Sequence, residues 1–112
     1  MADKLPVAKG MLDVLVLRAL RWAPMHGFEI SEWLEERSKQ RIGLEDAAVY
    51  QALYRLEERR LISASWGTTD NNRRARYYKL TKAGVEQLQA ETERWLSYNQ
   101  AIAAVLAPDR GR

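Results

Sequence analysis

The stretch EDAAVYQALYRLEERRLISASWGTTDNNRRARYYKL, residues 45–80, decides the fold, because its hydrophobic period changes along its length. In its first part, apolar side chains recur at the three- and four-residue spacing of a helix that runs to about Arg59. Those side chains are Val49, Ala52, Leu53 and Leu56. From Ile62 onward, apolar and polar residues alternate with the period of two that is typical of strands. The stretch therefore predicts one helix followed by two strands.

The two strands are separated by the polar segment 67–72, whose composition is typical of a turn, so we expect a β-hairpin. No acidic residue interrupts the second half of this hairpin between Asn71 and Lys79. The basic residues there are Arg73, Arg74, Arg76 and Lys79, interleaved with Tyr77 and Tyr78. A short basic run is often only the solvated tip of a hairpin. Its function therefore depends on the elements that lie beside it.

Two helices are predicted before this stretch and one after it. Residues 8–22 are apolar around nearly the whole helical circumference, which indicates a helix that is buried on more than one side. Pro24 ends it, and a second helix with an acidic outer face follows over residues 26–37. After the hairpin, Thr81 is a suitable N-cap for a last helix over residues 82–106.

The order helix, helix, helix, hairpin, long helix predicts the fold class. We expect a mainly α fold with a small β-hairpin, namely a winged helix-turn-helix followed by a long C-terminal helix. The winged helix-turn-helix domain, with its N-terminal helix, would occupy residues 1–80. The C-terminal dimerisation helix and a short tail would occupy residues 81–112.

Composition excludes several classes of function. A chain of 112 residues, 46% hydrophobic and 29% charged, is typical of one soluble globular domain, and the absence of cysteine suits a cytoplasmic protein. The most apolar stretch, residues 11–20, contains Asp13 and Arg18 and is too short to span a membrane. The single histidine, His26, has no metal-ligand partners in the sequence, and no nucleophile with its base is recognisable. We therefore expect no cofactor, no metal and no enzyme activity.

The third predicted helix and the hairpin together indicate binding to double-stranded DNA. An α-helix fits the major groove, and a basic ribbon next to it can hold the backbone or an adjacent groove. Candidates on the ribbon are Arg73, Arg74, Arg76 and Lys79, which would contact phosphates, and Tyr77 as a further DNA-binding residue. Candidates on the helix are Tyr50, Gln51, Tyr54 and Arg55, which would contact bases or backbone. For the tyrosines, simple packing is the alternative.

The sequence also resembles the PadR family of transcriptional regulators, through five pieces in the same order. These pieces are Gly10–Leu12 with Leu15–Leu17 and Leu20, then His26–Ile30, Val49–Glu57, Leu61–Ile62 and Arg76–Gly84. The resemblance covers about residues 8–106. It implies a dimeric winged-helix repressor of the short subgroup with one C-terminal helix.

Four residues depart from the family pattern. Phe28 replaces the usual tyrosine, Ala48 stands where serine or threonine is frequent, and Gln51 stands where proline is common. We therefore expect an atypical DNA sequence to be read. Arg60 occupies the position of a glycine that closes the helix with a left-handed residue, so either Arg60 adopts that conformation or the turn differs.

The last predicted helix carries a heptad seam. The spacing of its apolar and small polar residues is 3, 4, 3, 4, 3, 4, over Val85, Leu88, Thr92, Trp95, Asn99, Ile102 and Leu106. A helix of this length spans roughly 37 Å at about 1.5 Å per residue, more than one small domain needs for its own core. We therefore expect a homodimer interface that includes Leu88, Trp95, Asn99, Ile102 and Leu106. The alternative is that the helix folds back onto its own domain.

Trp95 has two interpretations. A tryptophan in the middle of a seam is usually a packing anchor. The family resemblance implies instead an apolar cavity between subunits in which such a residue stacks on a planar aromatic effector.

A separate alternative for the whole chain is a winged-helix module that binds proteins and no DNA, since fold does not fix function. The acid-free arginine run disfavours it.

Overall fold

A computed structural model of the chain describes residues 3–8 and 10–109, and this part contains four helices and five strands. The helices are α1 (Met11–Trp22), α2 (Gly27–Arg37), α3 (Asp46–Glu58) and α4 (Lys82–Leu106). The strands are β1 (Leu5–Pro6), β2 (Met25–His26), β3 (Ile42–Gly43), β4 (Ile62–Thr68) and β5 (Arg74–Leu80). The mainly α fold class with a hairpin and a long last helix is confirmed. Residues 1–2, Lys9 and 110–112, which the predicted ranges included, lie outside the described residues.

The core forms where α1, α2 and α3 meet the base of the hairpin. Val16, Ile30 and Leu56 from the three helices are fully buried, because the apolar stripes of their helices face one another. His26 caps α2, since its Nδ1 accepts a hydrogen bond from the Glu29 amide while the Glu29 carboxylate accepts one from the His26 amide. The only histidine therefore has a structural role at a helix start.

The hairpin is one part of a three-stranded antiparallel sheet with the order β2, β5, β4. Strands β4 and β5 pair from Ile62 with Leu80 to Thr68 with Arg74, and the short β2 adds its Met25 opposite Tyr78. We call the β4–β5 hairpin, residues 62–80, the wing. A separate two-stranded parallel sheet joins β1 to β3 just before α3. The sequence pattern predicted the hairpin but none of the three two-residue strands.

Arg60 adopts the left-handed conformation at the end of α3, with a φ of 61°. Its amide donates to the Glu57 carbonyl at 2.9 Å, and the Leu61 amide donates to the Leu56 carbonyl at 3.0 Å. This is the pattern of hydrogen bonds that a glycine usually closes at a helix C-terminus. The turn is therefore retained without the glycine, at a strain of roughly 1 kcal/mol for the side chain.

The start of α4 lies directly against this turn. Thr81 accepts a hydrogen bond from the Gly84 amide through its hydroxyl, as the N-cap pattern predicted. A Cβ on Gly84 would lie 2.0 Å from the Leu61 carbonyl oxygen, so only glycine permits this approach. The first half of α4 then packs on α1, and Leu88, with 7% of its surface exposed, belongs to the core of its own chain.

Leu88, one of the predicted interface residues, is buried in its own chain. Its side chain leaves little surface for a second subunit, because the first turns of α4 are covered by the domain that precedes them. All residues from Leu96 to Leu106 are exposed, and this segment contains no charged side chain. We call residues 96–106 the free half of α4. The fold-back alternative therefore describes the first half of the helix and fails for the second.

Candidate nucleic-acid interface

The outer face of α3 presents Gln51 and Tyr54 on the side opposite the core. Both are exposed, and Tyr54 has 66% of its surface free. The helical period sets this face, since the residues of the apolar stripe are buried while Gln51 and Tyr54 point outward. Two of the predicted contact residues on this helix are therefore available to a ligand at the centre of the exposed face.

Tyr50 lies at the edge of α3 that faces α2. Its ring packs over Gly27, where a Cβ would come within 2.7 Å of the ring carbons. Half of the Tyr50 surface remains exposed. The Tyr50 ring is therefore packed on one side and exposed on the other, and Gly27 provides the room for it.

Arg55 lies at the opposite edge of α3, against α1. Its Nη2 donates to Asp13 Oδ1 at 2.6 Å and its Nε donates to Asp13 Oδ2 at 3.3 Å. This hydrogen bonding raises the pKa of the Arg55 guanidinium above its ordinary value. The side chain is half-exposed, yet its donors are directed to a carboxylate of the same chain. Arg55 therefore lies one turn from Gln51 on α3, but its donors are directed toward α1 and away from the exposed face.

The wing presents its arginines on the same side as α3. Strand alternation places Arg74 and Arg76 on the face of β5 that carries the buried Tyr78. Arg76 Nη2 donates to Glu57 Oε2 of α3 at 2.7 Å, which ties the wing to that helix. The Arg74 guanidinium lies over the ring of Trp66 at 4.7 Å from its centroid. Arg73, in the loop before β5, is exposed.

Tyr77 and Lys79 lie on the opposite face of β5, since residues alternate along a strand. The Tyr77 ring contacts His26 edge to face at 5.4 Å and covers Gly67, where a Cβ would lie 2.7 Å from it. Its hydroxyl donates to the Thr68 carbonyl at 3.4 Å. The structure therefore separates these two predicted contact residues from Arg74 and Arg76 and gives Tyr77 a packing role in the wing.

Between α3 and the wing lies an open cleft of about 550 Å³, which we call the wing cleft. Its lining includes Tyr50, Arg73, Arg74 and Arg76, and also two large exposed aromatic residues, Phe28 and Trp66. Sequence reasoning did not place either aromatic residue at this site. Trp66 fitted the alternating apolar pattern of β4, and Phe28 was noted only for the hydroxyl it lacks. The signal for Trp66 was its position near the turn, beyond the part of the strand that the core covers.

Trp95 lies where α4 leaves its own domain. It packs against the core on one side, and its ring meets Tyr98 edge to face at 5.9 Å. Ala8, Arg94, Trp95 and Tyr98 line an open depression of about 360 Å³ there. Asn99, Ile102 and Leu106, the remaining predicted interface residues, are exposed further along α4. In the single chain, Trp95 therefore packs against the core on one side and lines an open depression on the other.

Two further features concern the described residues 3–8 and 10–109. In this range no group of three or more histidine or acidic side chains is arranged to hold a metal ion. Within the same range, every helix is too short or too polar to cross a membrane.

Comparison with known proteins gives consistent matches. The model of the transcriptional regulator PadR-like family matches residues 16–90. A solved PadR family transcription regulator from Clostridium difficile R20291 is 27% identical with a TM-score of 0.75, over 88% of this chain and 100% of that one. "Uncharacterized protein X" of Lysinibacillus sphaericus is 26% identical over 86% of this chain and 88% of that protein. An uncharacterized 37.1 kDa protein in transposon TN4556 of Streptomyces fradiae is 32% identical over 87% of this chain, which spans 26% of that longer protein.

Proposed function

The chain belongs to the PadR-like family of transcriptional regulators, and we propose that it is a repressor that binds operator DNA as a homodimer. The resemblance found in the motifs is thereby confirmed, and the family consists of regulators, which are not enzymes. The observation that carries the proposal is the wing cleft, where Tyr50 of α3 and the three arginines of the wing line a common space. Since a repressor acts where the DNA is, we keep a cytoplasmic location as part of the proposal.

Within this proposal, α3 enters the major groove and the wing contacts the backbone beside it. Gln51 and Tyr54 are assigned to the bases because they are exposed at the centre of the α3 face. Arg73 and Arg74 are assigned to phosphates.

Arg55 would contact DNA by exchanging its partner Asp13, which holds two of its donor atoms. Arg76 uses only Nη2 for Glu57, so its other donors are assigned to a third phosphate.

Tyr50 has a supporting role in the proposal, since its ring is shared between Gly27 and the wing cleft. Tyr77 and Lys79 are left out of the contact set, because they lie on the far face of the wing.

The proposal also assigns a role to each of the two predicted parts of the chain. Residues 1–80 would bind DNA, and residues 81–112 would join two subunits.

The free half of α4 supports the homodimer. Its exposed apolar side chains include Leu96, Ile102 and Leu106, and eleven residues without charge give no complementarity to a charged partner. An apolar helical face of this kind is best covered by the same face of a second copy, because a two-fold axis makes the contact self-complementary. Asn99, Ile102 and Leu106 remain the proposed contacts, together with Trp95.

The depression beside Trp95 supports a further part of the proposal, a planar aromatic effector. An indole ring offers a flat apolar surface, and Tyr98 and Ala8 add no charge. The charged lining residue, Arg94, is paired with Glu91. A second subunit packed on the free half of α4 would deepen this depression. Ligand binding there would act on the dimer and so on the distance between the two α3 helices.

Selection of bound sequences from a pool of random duplex DNA tests the proposed function. We expect enrichment of a pseudo-palindrome whose half-sites are separated by about 10 base pairs or a multiple of that distance. Direct repeats would contradict the two-fold dimer. No enrichment at all, together with no retention of duplex DNA at low salt, would favour the module that binds only proteins.

A further inference from the structure

Two tryptophans of the chain are largely exposed, and their surroundings differ in charge. Trp66 in the wing has 62% of its surface exposed, and Trp22 at the end of α1 has 65%. Arg74 lies on the Trp66 ring, and Arg76 is its cross-strand neighbour. The depression beside Trp22 is lined by Trp33 and by the acidic residues Glu29, Glu32 and Glu36.

The position of Trp66 restricts what can cover it. Its side chain shares one face of the wing with Arg74 and Arg76, and this face lines the wing cleft. A ligand that reaches the ring must therefore lie next to two guanidinium groups. Its surface must be apolar at the ring and anionic a few ångströms away. The DNA backbone has this alternation, because the apolar faces of deoxyribose rings lie between successive phosphates.

We propose that Trp66 is itself a DNA contact, with its indole packed on the deoxyribose of the strand whose phosphates Arg73 and Arg74 bind. The inference rests on the proposed function, since it assigns a further residue of the same site. The cation–π contact gives Trp66 a second, positioning effect, because the ring holds the Arg74 guanidinium on the cleft side of the wing. The two effects differ in their dependence on salt.

Replacing Trp66 by alanine separates a sugar contact from a purely positioning role. Apolar contact releases no counterions, whereas each phosphate contact by Arg74 contributes to the slope of log affinity against log salt. We expect Trp66→Ala to lower affinity for duplex DNA about tenfold per dimer at high salt, as loss of buried apolar surface does, and by more at low salt, where the phosphate contact of Arg74 contributes most. Trp66→Phe should recover most of the affinity, and Trp22→Ala is the matched control that should bind as the wild type does.

Combination with Arg74→Ala completes the test. If Trp66 contacts the sugar, Trp66→Ala should still weaken binding in an Arg74→Ala chain. If its effect vanishes there, Trp66 acts only through Arg74 and the contact is overturned. Binding by Trp66→Ala equal to the wild type also overturns it, while the proposed function stands. A wild-type protein that binds no duplex DNA at low salt overturns both.

Fluorescence provides a readout that does not depend on the stability of the alanine variant. Duplex DNA should quench part of the tryptophan emission of the wild type and of Trp22→Phe. In Trp66→Phe that quenching should be largely lost while DNA is still bound. Quenching that persists in Trp66→Phe and disappears in Trp22→Phe would place the DNA on the acidic side of the molecule and overturn the inference.

Discussion

The wing cleft and the free half of α4 both expose large apolar side chains, but they differ in charge. Trp66 and Phe28 lie among three arginines, whereas the eleven residues from Leu96 to Leu106 carry no charge. Apolar exposure alone marks a surface that another molecule covers. The charge beside it indicates which molecule. Arginines favour the phosphates of DNA, and an uncharged helical face favours a second copy of the same helix.

The largest effect is expected when charge is placed on the free half of α4, which tests whether its uncharged face binds a second copy. We expect Ile102→Glu with Leu106→Glu to give a monomer, because each glutamate would be buried without a partner in the dimer. Operator affinity should fall by more than about 100-fold, since the two half-sites would no longer be bound together. Sedimentation measures the oligomeric state. Leu88 is unsuitable for this test, because its substitution would damage the core of its own chain.

Ser97→Glu is the matched control for that experiment. It adds the same charge within the free half, on the side of α4 opposite the heptad seam. It should remain dimeric and bind DNA. If the double variant stays dimeric as well, the free half of α4 is not the interface, and its apolar exposure must have another occupant.

Trp95 tests the boundary between the two halves of α4. If it is an effector site, planar aromatic compounds should quench its emission, and Trp95→Ala should lose that affinity while remaining a dimer. If it is only a packing anchor, truncation should cost about 3 kcal/mol of unfolding free energy and neither form should respond to ligand. Because Trp22, Trp33 and Trp66 also emit, the comparison of variant with wild type is the measurement.

On the DNA side, Gln51→Ala distinguishes side chains that read bases from side chains that contact the DNA backbone. We expect a change in the preferred base at one position of each half-site, of about 1 to 3 kcal/mol, with little change in binding to random duplex DNA. Selection of bound sequences with the variant measures this shift. An unchanged preference would show that α3 does not read bases through its central face.

The smallest expected effect concerns Asp13. Asp13→Asn removes the carboxylate that holds Arg55, so binding to random duplex DNA should increase about threefold at low salt. Stability should hardly change, because exposed ion pairs contribute about 0 to 1 kcal/mol. Glu91→Gln, which breaks the ion pair with Arg94 on α4, makes the same change of charge away from α3 and should leave DNA affinity as it is. Equal gains in DNA affinity in both variants would show that the effect comes from the change in net charge alone.

Much of the fold followed from local patterns. The bounds of α4 were predicted at Lys82 and Leu106 because Thr81 is a strong cap signal and the heptad spacing is regular. The three two-residue strands were missed because such short pairings carry no periodicity. The seam could not show which half of α4 faces its own domain, since Leu88 and Ile102 have the same spacing but different surroundings.

The candidate site was predictable only in part. Sequence placed Gln51 and Tyr54 on the outer face of a helix, and they are exposed there. It could not reveal that Arg55 and Arg76 hold Asp13 and Glu57, because those partners come together only in the folded chain. The period of two already places Tyr77 and Arg76 on opposite faces of the strand, but the contact residues were grouped by their nearness in the sequence, so Tyr77 was predicted together with arginines of the other face.

The most direct test of the central claim is the salt dependence of binding to random duplex DNA. With Arg73, Arg74 and Arg76 each contacting one phosphate, about three per subunit and six per dimer, log affinity plotted against log salt should have a slope of roughly −5. Replacing Arg73 and Arg74 by alanine removes four contacts per dimer, which should weaken binding to all sequences alike and bring the slope to about −2. A slope near zero in the wild type, or the same slope in both proteins, would contradict a wing that holds DNA through these arginines.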